Sequence, residues 1–271
     1  MRSAMELAGK TALLTGATGG LGRAIAEALA ARGAKLTLSG RKAEALEQLA
    51  AELPGDGHRV LPADLGQLGA AEKLAAETGP VDILVANAGL PGSGRLHELT
   101  GDQLARTLRV NLEAPMLLAH QLLPAMVERR SGHLLFVSSL SGKAASPRAS
   151  VYNATKFGLR GFALALREDL AGDKAGVGVS LVLPGFIRGA GMFADSGATL
   201  PPGMGTATCE EVGAGVVKAI EQNRAEVAVA PIQQRALAGF AHVFPAIAGR
   251  VQRGSGTKIA DEVARGQTEK R

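Results

Sequence analysis

Cysteine is almost absent from this chain: Cys209 is the only one in 271 residues. A lone thiol excludes an internal disulfide, and the opening MRSAMELAGK has no apolar run of the secretory kind, so a reducing cytoplasm is the expected setting. Long apolar runs are missing too. Nothing in the sequence approaches the roughly 18 uninterrupted apolar residues of a membrane span. Aromatic side chains make up only 3% of the chain. Single-stranded nucleic acid is usually held by aromatics interleaved with a basic stripe, and here the charges are scattered, so no nucleic-acid partner is expected. The excess of 30 Lys and Arg over 25 Asp and Glu mildly favours a phosphorylated ligand. No metal site is expected.

What is present is an alternation. Short aliphatic runs, TALLT (11–15), KLTLS (35–39), HRVLP (58–62), DILVA (82–86), HLLFVS (133–138), VSLVL (179–183) and EVAVA (226–230), are separated by Ala- and Leu-rich segments of helical period. These helical segments fall at about 20–32, 42–53, 67–78, 100–129, 150–171 and 209–223. Strands apolar on both faces and joined by helices form a parallel sheet with helices on each side. The expectation is one α/β domain over residues 1–251, a doubly wound parallel sheet of about seven strands. Residues 188–208, rich in Gly and Pro, are too long for an ordinary connection and read as a substrate loop. The polar stretch 252–271 reads as a loosely held tail.

The first strand runs into TGATGGLG (15–22) and then a helix. Gly16, Gly20 and Gly22 allow a tight turn and a close approach to a pyrophosphate, whose charge meets free N–H groups and the positive end of the helix dipole. After the second strand, the place where dinucleotide folds often carry a carboxylate for the ribose is Gly40, and Arg41 follows. A guanidinium can pair with a 2′-phosphate, so NADP(H) is favoured over NAD(H); otherwise Arg41 is a solvated residue at a helix start. Asp64 either meets the adenine or caps a helix.

Tyr152 is the only tyrosine, and Lys156 stands four places on, which puts both on one helix face. A nearby cation favours phenolate and lowers a phenol from about 10 toward neutrality, making it a proton donor or acceptor for a carbonyl/alcohol pair. Ser139, at the end of the fifth strand, offers a hydroxyl to the same oxygen. A Tyr and a Lys four apart also occur on ordinary surface helices. Here the serine, the tyrosine and the glycine loop all fall at one edge of the sheet, which selects the catalytic reading.

Together TGATGGLG (15–22), NAG (87–89), Asn111 in RVNLEAP, Ser139 in VSSLSG and YNATK (152–156) resemble the short-chain dehydrogenase/reductase family over about residues 8–230. The resemblance implies a Rossmann-type fold in which Tyr152 is the general acid/base. Lys156 would lower the Tyr152 pKa and bind the nicotinamide ribose, Ser139 would orient the substrate oxygen, and Asn111 would hold a water in a proton relay. Ser138 is the neighbouring alternative. The family serine, however, stands thirteen places before the tyrosine and opens an SxxG run, as Ser139 does. The cofactor site implied is Gly16, Thr18, Gly20, Leu21, Gly22, Arg41, Asp64, Asn87, Ala88, Gly89, Tyr152, Lys156, Pro184, Gly185 and Ile187. One departure stands out: Gly189 occupies the position of a family threonine that contacts the nicotinamide carboxamide, which leaves that contact to backbone or to Arg188.

The implied activity is hydride transfer between NADP(H) and a small carbonyl or alcohol. Met192, Phe193, Leu200 and Met204 suggest an apolar cover and hence a lipophilic substrate. A non-catalytic NADP(H)-sensing regulator of the same fold is the alternative, although it has no need of Ser139, Tyr152 and Lys156 together. Family members pair through helices corresponding to 113–129 and 154–171, implying a homodimer or homotetramer. The apolar segment 235–251, with Arg235, Arg250 and Arg253 around it, is expected to pack on a neighbouring subunit or on the pocket rather than rest on a membrane surface.

Overall fold

A computed structural model of the chain describes residues 5–200 and 203–267. Strands β1 (Thr11–Thr15), β2 (Lys35–Gly40), β3 (Arg59–Pro62), β4 (Ile83–Ala86), β5 (Gly132–Val137), β6 (Val177–Pro184) and β7 (Glu226–Val229) form one parallel sheet. The strand order is β3-β2-β1-β4-β5-β6-β7, so the winding reverses between β1 and β4. Ligands of such sheets bind at that reversal, outside the carboxyl ends of the strands.

The alternation within strands builds two cores. Leu14, Val85, Leu135, Val137 and Val182 face one layer, with Ile25 and Leu29 of α1 (Gly20–Ala30), Leu46 of α2 (Ala43–Glu52) and Val216 of α8 (Cys209–Glu221). Their strand neighbours Leu13, Leu84, Leu134, Phe136 and Leu181 face the other. There they meet Leu74 of α3 (Ala70–Thr78), Leu118 of α5 (Ala114–Glu128) and Leu159 of α6 (Ser150–Gly172). Each such side chain contributes about 1.5–3 kcal/mol on burial. Gly213 brings α8 close to α1, since a Cβ there would stand 2.6 Å from the Ala24 carbonyl oxygen.

Two expectations fail. The helix read over 100–129 is interrupted: α4 (Gly101–Leu108) passes through a π turn (Arg109–Glu113) into α5. The cause is Pro115, which has no N–H for the Asn111 carbonyl four residues earlier and whose ring crowds it. Residues 252–266 are also helical, not a loose tail. After α7 (Gly191–Ala194) and α9 (Ile232–Val243), helix α10 runs from Pro245 to Gly266. Its end is tied down by polar contacts: Arg148 donates to Asp261 at 2.6 Å, and the buried Gln267 amide donates to the Met192 carbonyl at 2.8 Å while its oxygen accepts from Ser93 at 2.6 Å. Residues 268–271 lie outside the described residues.

Candidate active site

The glycine turn after β1 is built as a cradle. Gly16 sits at φ +65°, and a Cβ there would stand 2.8 Å from Ala88 Cα. Gly22 has no room for a Cβ against the Gly16 carbonyl. No side chain caps α1 at Gly19, so the first-turn N–H groups of Gly20, Leu21 and Gly22 remain available, and no acidic residue occupies that turn. This is the donor set a pyrophosphate requires. Thr18 is exposed beside Gly40, where a Cβ would stand 3.4 Å from Thr18 Oγ1, and the exposed Arg41 follows immediately. These residues fit a dinucleotide.

Thr15, which the sequence reading passed over, staples β1 to β4. Its hydroxyl accepts from the Asn87 and Ala88 N–H groups, both at 3.1 Å, while the Asn87 amide donates to the Thr15 and Gly16 carbonyls. Gly89 lies against Asn111 and Met192. Asp64 follows β3 with its carboxylate already engaged, accepting from the Gly66 N–H at 3.0 Å and from Arg106 at 3.3 Å. Partial burial pushes this carboxyl up, but the Gly66 N–H, Arg106 and Arg41 outweigh it and hold it below the usual carboxylate range.

Ser139 stands two residues past the end of β5, capping a short 3-10 turn, and Tyr152 and Lys156 lie in the first turns of α6. The Ser139 hydroxyl faces the Tyr152 phenol and favours its ionised form. The Ser139 hydroxyl also lies 3.4 Å from the Pro184 carbonyl and accepts from the Ser141 N–H. Lys156 is only 3% exposed; its ammonium donates to the Val137 carbonyl at 3.0 Å and lies 5.6 Å from the centre of the Tyr152 ring. Ser138 turns away from the site, its hydroxyl donating to the Lys156 carbonyl.

The electrostatics differ from the expectation that Lys156 lowers the Tyr152 pKa. Burial raises the phenol above its ordinary value, with the Ser139 hydroxyl opposing, and the lysine itself is lowered to about 8 by burial. The ammonium is committed to Val137, and desolvation weighs on both groups.

Asn111 is completely buried in the π turn. Its amide oxygen accepts from the Leu90 N–H at 2.7 Å, and its amide group donates to the Leu90 carbonyl and to Thr155 Oγ1. Thr155 in turn donates to the Tyr152 carbonyl at 2.7 Å. The Asn111 side chain therefore fixes the strand-end loop against the helix of Tyr152 and Lys156. Thr155 was not singled out from sequence, and Ser138, the neighbouring alternative to Ser139, serves the helix backbone instead.

Pro184, Gly185 and Ile187 lead from β6 into the 188–208 loop, whose base closes where Ile187 bridges Ala207. Gln234 of α9 accepts from the Phe186 N–H at 3.0 Å and donates to the Gly205 carbonyl at 2.5 Å. Gly189 has φ +85°, a conformation threonine rarely adopts, and Arg188 reaches to Thr206 at 3.3 Å. Ala190 lies directly over Gly20, while Phe193 packs at a tilt against Phe186, with 4.8 Å between ring centres.

A parallel sheet with this reversal point, a phosphate-ready glycine turn and a Ser–Tyr–Lys set at the same edge defines an oxidoreductase that uses a nicotinamide cofactor on carbonyl or alcohol groups. The chain belongs to the short chain dehydrogenase family, whose profile matches residues 10–200. It is 37% identical over 229 residues to the ketoacyl reductase HetN of a Nostoc species, covering 82% of this chain and 79% of that protein. With nodulation protein G of a Rhizobium species it shares 39% identity over 191 residues, 68% of this chain and 76% of the relative. Among solved structures, a 3-oxoacyl (acyl-carrier-protein) reductase of Agrobacterium tumefaciens with NADP bound matches with a TM-score of 0.73 and 28% identity, over 82% of this chain and 93% of the other. A Sphingobium yanoikuyae short-chain dehydrogenase in complex with NADPH matches with a TM-score of 0.75 and 27% identity, over 90% and 94%. No helix among the described residues is long and apolar enough to cross a membrane.

Proposed function

We propose that this enzyme is an NADP(H)-dependent reductase of lipophilic ketones and aldehydes, working in reverse on secondary alcohols, and that 3-oxoacyl thioesters are the first substrate class to test. The observation that carries the reading is the Ser139 hydroxyl facing the Tyr152 phenol, with the Lys156 ammonium 5.6 Å from that ring, at the same sheet edge as the glycine turn. Tyr152 gives its hydroxyl proton to the carbonyl oxygen as the alcohol forms. Ser139 donates a hydrogen bond to that oxygen as negative charge develops. The nicotinamide, when bound, supplies the hydride. Lys156 remains mostly protonated below its value of about 8 and supports the tyrosinate left behind. Asn111 and Thr155 hold this part of α6 in place, and any water relay starts from the same network.

Preference for NADP(H) rests on Arg41 and on the lack of a carboxylate at Gly40, and NADP(H) is the ligand in the Agrobacterium and Sphingobium structures. Met192, which lies against Gly89, and the half-buried Phe193 and Leu200 of the same loop support a lipophilic substrate, as does the name of the Nostoc relative. Met116, Val127 and Phe157, exposed on α5 and α6, support a homodimer or homotetramer through those helices. Steady-state assays with NADPH and NADH against 3-oxoacyl thioesters, hydrophobic ketones and polar sugars test this. The reading expects turnover of the apolar carbonyls and a loss of NADPH preference in Arg41→Ala. Efficient turnover of sugars with none of hydrophobic ketones would reject the lipophilic class, and an unchanged preference would reject the role of Arg41.

A further inference from the structure

Amphipathic surface helices turn apolar residues inward and polar residues outward. Helix α9 does not. Gln234, Ala238 and Ala241 form its buried stripe. At 100° per residue the opposite face carries Ile232, Ala236, Gly239 and Val243, with Phe240 beside them. Ile232 and Val243 are 67% and 64% exposed. The patch continues over the junction into α10: Phe244 packs at a tilt against Phe240, with 5.3 Å between ring centres, and Ile247 and Val251 are exposed beyond it. Of the 12 large exposed apolar side chains among the described residues, seven lie between Ile232 and Val251. The expected burial of this segment on the pocket is therefore met only by its small residues and Gln234.

The charge around the patch has one sign. No aspartate or glutamate occurs between Glu226 and Asp261. Arg235, Arg250 and Arg253 are exposed, and none is ion-paired among the described residues. Apposing two copies of this patch would bring guanidinium groups together with no carboxylate to meet them, which disfavours a self-interface. The patch also lacks the Tyr and Trp anchors typical of protein interfaces. Exposed aliphatic and phenyl groups ringed by arginines suit the boundary of a bilayer, where apolar side chains enter the acyl region and the cations meet anionic headgroups.

We propose that the α9–α10 hairpin is a docking surface for anionic lipid bilayers, so that the enzyme is a peripheral membrane protein. Gln234, on the side of α9 opposite the patch, holds the base of the 188–208 loop through the Phe186 N–H and the Gly205 carbonyl, so docking sets that loop base one helix away from the membrane. Docking itself does not depend on the identity of the substrate.

The test is flotation of the full chain with vesicles of phosphatidylcholine alone or with one-third phosphatidylglycerol, in low and in 0.5 M salt. The expected result is co-flotation with the anionic vesicles, at least tenfold less with neutral ones, and weakening by salt. Val243→Asp/Phe244→Asp should lose flotation at least tenfold. Neither residue touches the Ser139–Tyr152–Lys156 site, so NADPH-dependent turnover in the absence of vesicles should be unchanged. If that variant fails to fold, Arg235→Gln/Arg250→Gln/Arg253→Gln serves instead, with the same loss on anionic vesicles. Wild type that fails to float with either composition, or that floats equally well after the substitutions, would overturn the proposal. So would a wild type whose mass by light scattering falls to a smaller oligomer in the variant, since the patch is then a subunit contact, or one that pulls down an acidic protein with the same residues while ignoring vesicles.

Discussion

Replacing Lys156 by methionine should make the folded protein more stable while abolishing its chemistry. The ammonium is buried and lowered from 10.5 to about 8, so between these values the unfolded chain binds more protons than the folded one. Stability therefore rises with pH across that window, and below it the folded state bears the full cost of a charge held away from water. That cost is about 3 kcal/mol at about 1.4 kcal/mol per pKa unit. Methionine fills nearly the same volume without charge but leaves the Val137 carbonyl without its donor, a loss of about 1 kcal/mol. The net expectation at pH 7 is a gain of about 2 kcal/mol, or about 4–8 °C in Tm for a chain of this size. The assay is thermal unfolding followed by circular dichroism at pH 7 and at the highest pH the protein tolerates, where the advantage should shrink toward zero or reverse. A variant that is destabilised at pH 7, or whose difference from wild type does not change with pH, would refute the claim that Lys156 is held charged at a cost.

His133 offers a second titration. It is buried against Ser180 Oγ at 2.9 Å and lowered to about 3, chiefly by burial, so it stays neutral in the fold while the unfolded imidazole takes up a proton below about 6.5. Stability should fall with pH in that window, by about 2 kcal/mol from this group alone at pH 5, and urea midpoints for His133→Gln should show a correspondingly flatter acid limb. Gly22→Ala has no room beside the Gly16 carbonyl and should weaken NADPH binding at least tenfold in fluorescence titrations while the sheet persists by circular dichroism. Asn111→Ala leaves the Leu90 N–H and carbonyl unpaired; it should cost about 2–3 kcal/mol in urea unfolding and lower kcat more than it changes KM for NADPH.

The sheet was legible because its strands are apolar on both faces, with Leu13 and Leu14 or Leu134 and Leu135 serving opposite layers, and because each is bounded by a helix of clear period. The positions of Ser139, Tyr152 and Lys156 followed from that, since strand ends and helix starts are fixed once the sheet is. The π turn was hidden because the apolar pattern continues through it; Pro115, four residues after Asn111, was the available signal. Helix α10 was missed for a different reason. Its far end is held by Asp261 and Gln267 rather than by an apolar stripe, and polar tethers leave no periodicity to read. Thr15 and Thr155 escaped notice because each acts through a short hydroxyl on backbone groups. The direction of the Tyr152 shift depends on burial and on where the lysine ammonium points, neither of which spacing reveals.

The central claim, that Tyr152 moves the proton in carbonyl reduction, is tested most directly by single-turnover oxidation of NADPH in wild type and Tyr152→Phe, followed at the nicotinamide absorbance with a hydrophobic ketone or 3-oxoacyl thioester. The account predicts that the variant still binds NADPH while its turnover falls at least a thousandfold. A variant that reduces the substrate at a rate near that of wild type would contradict it.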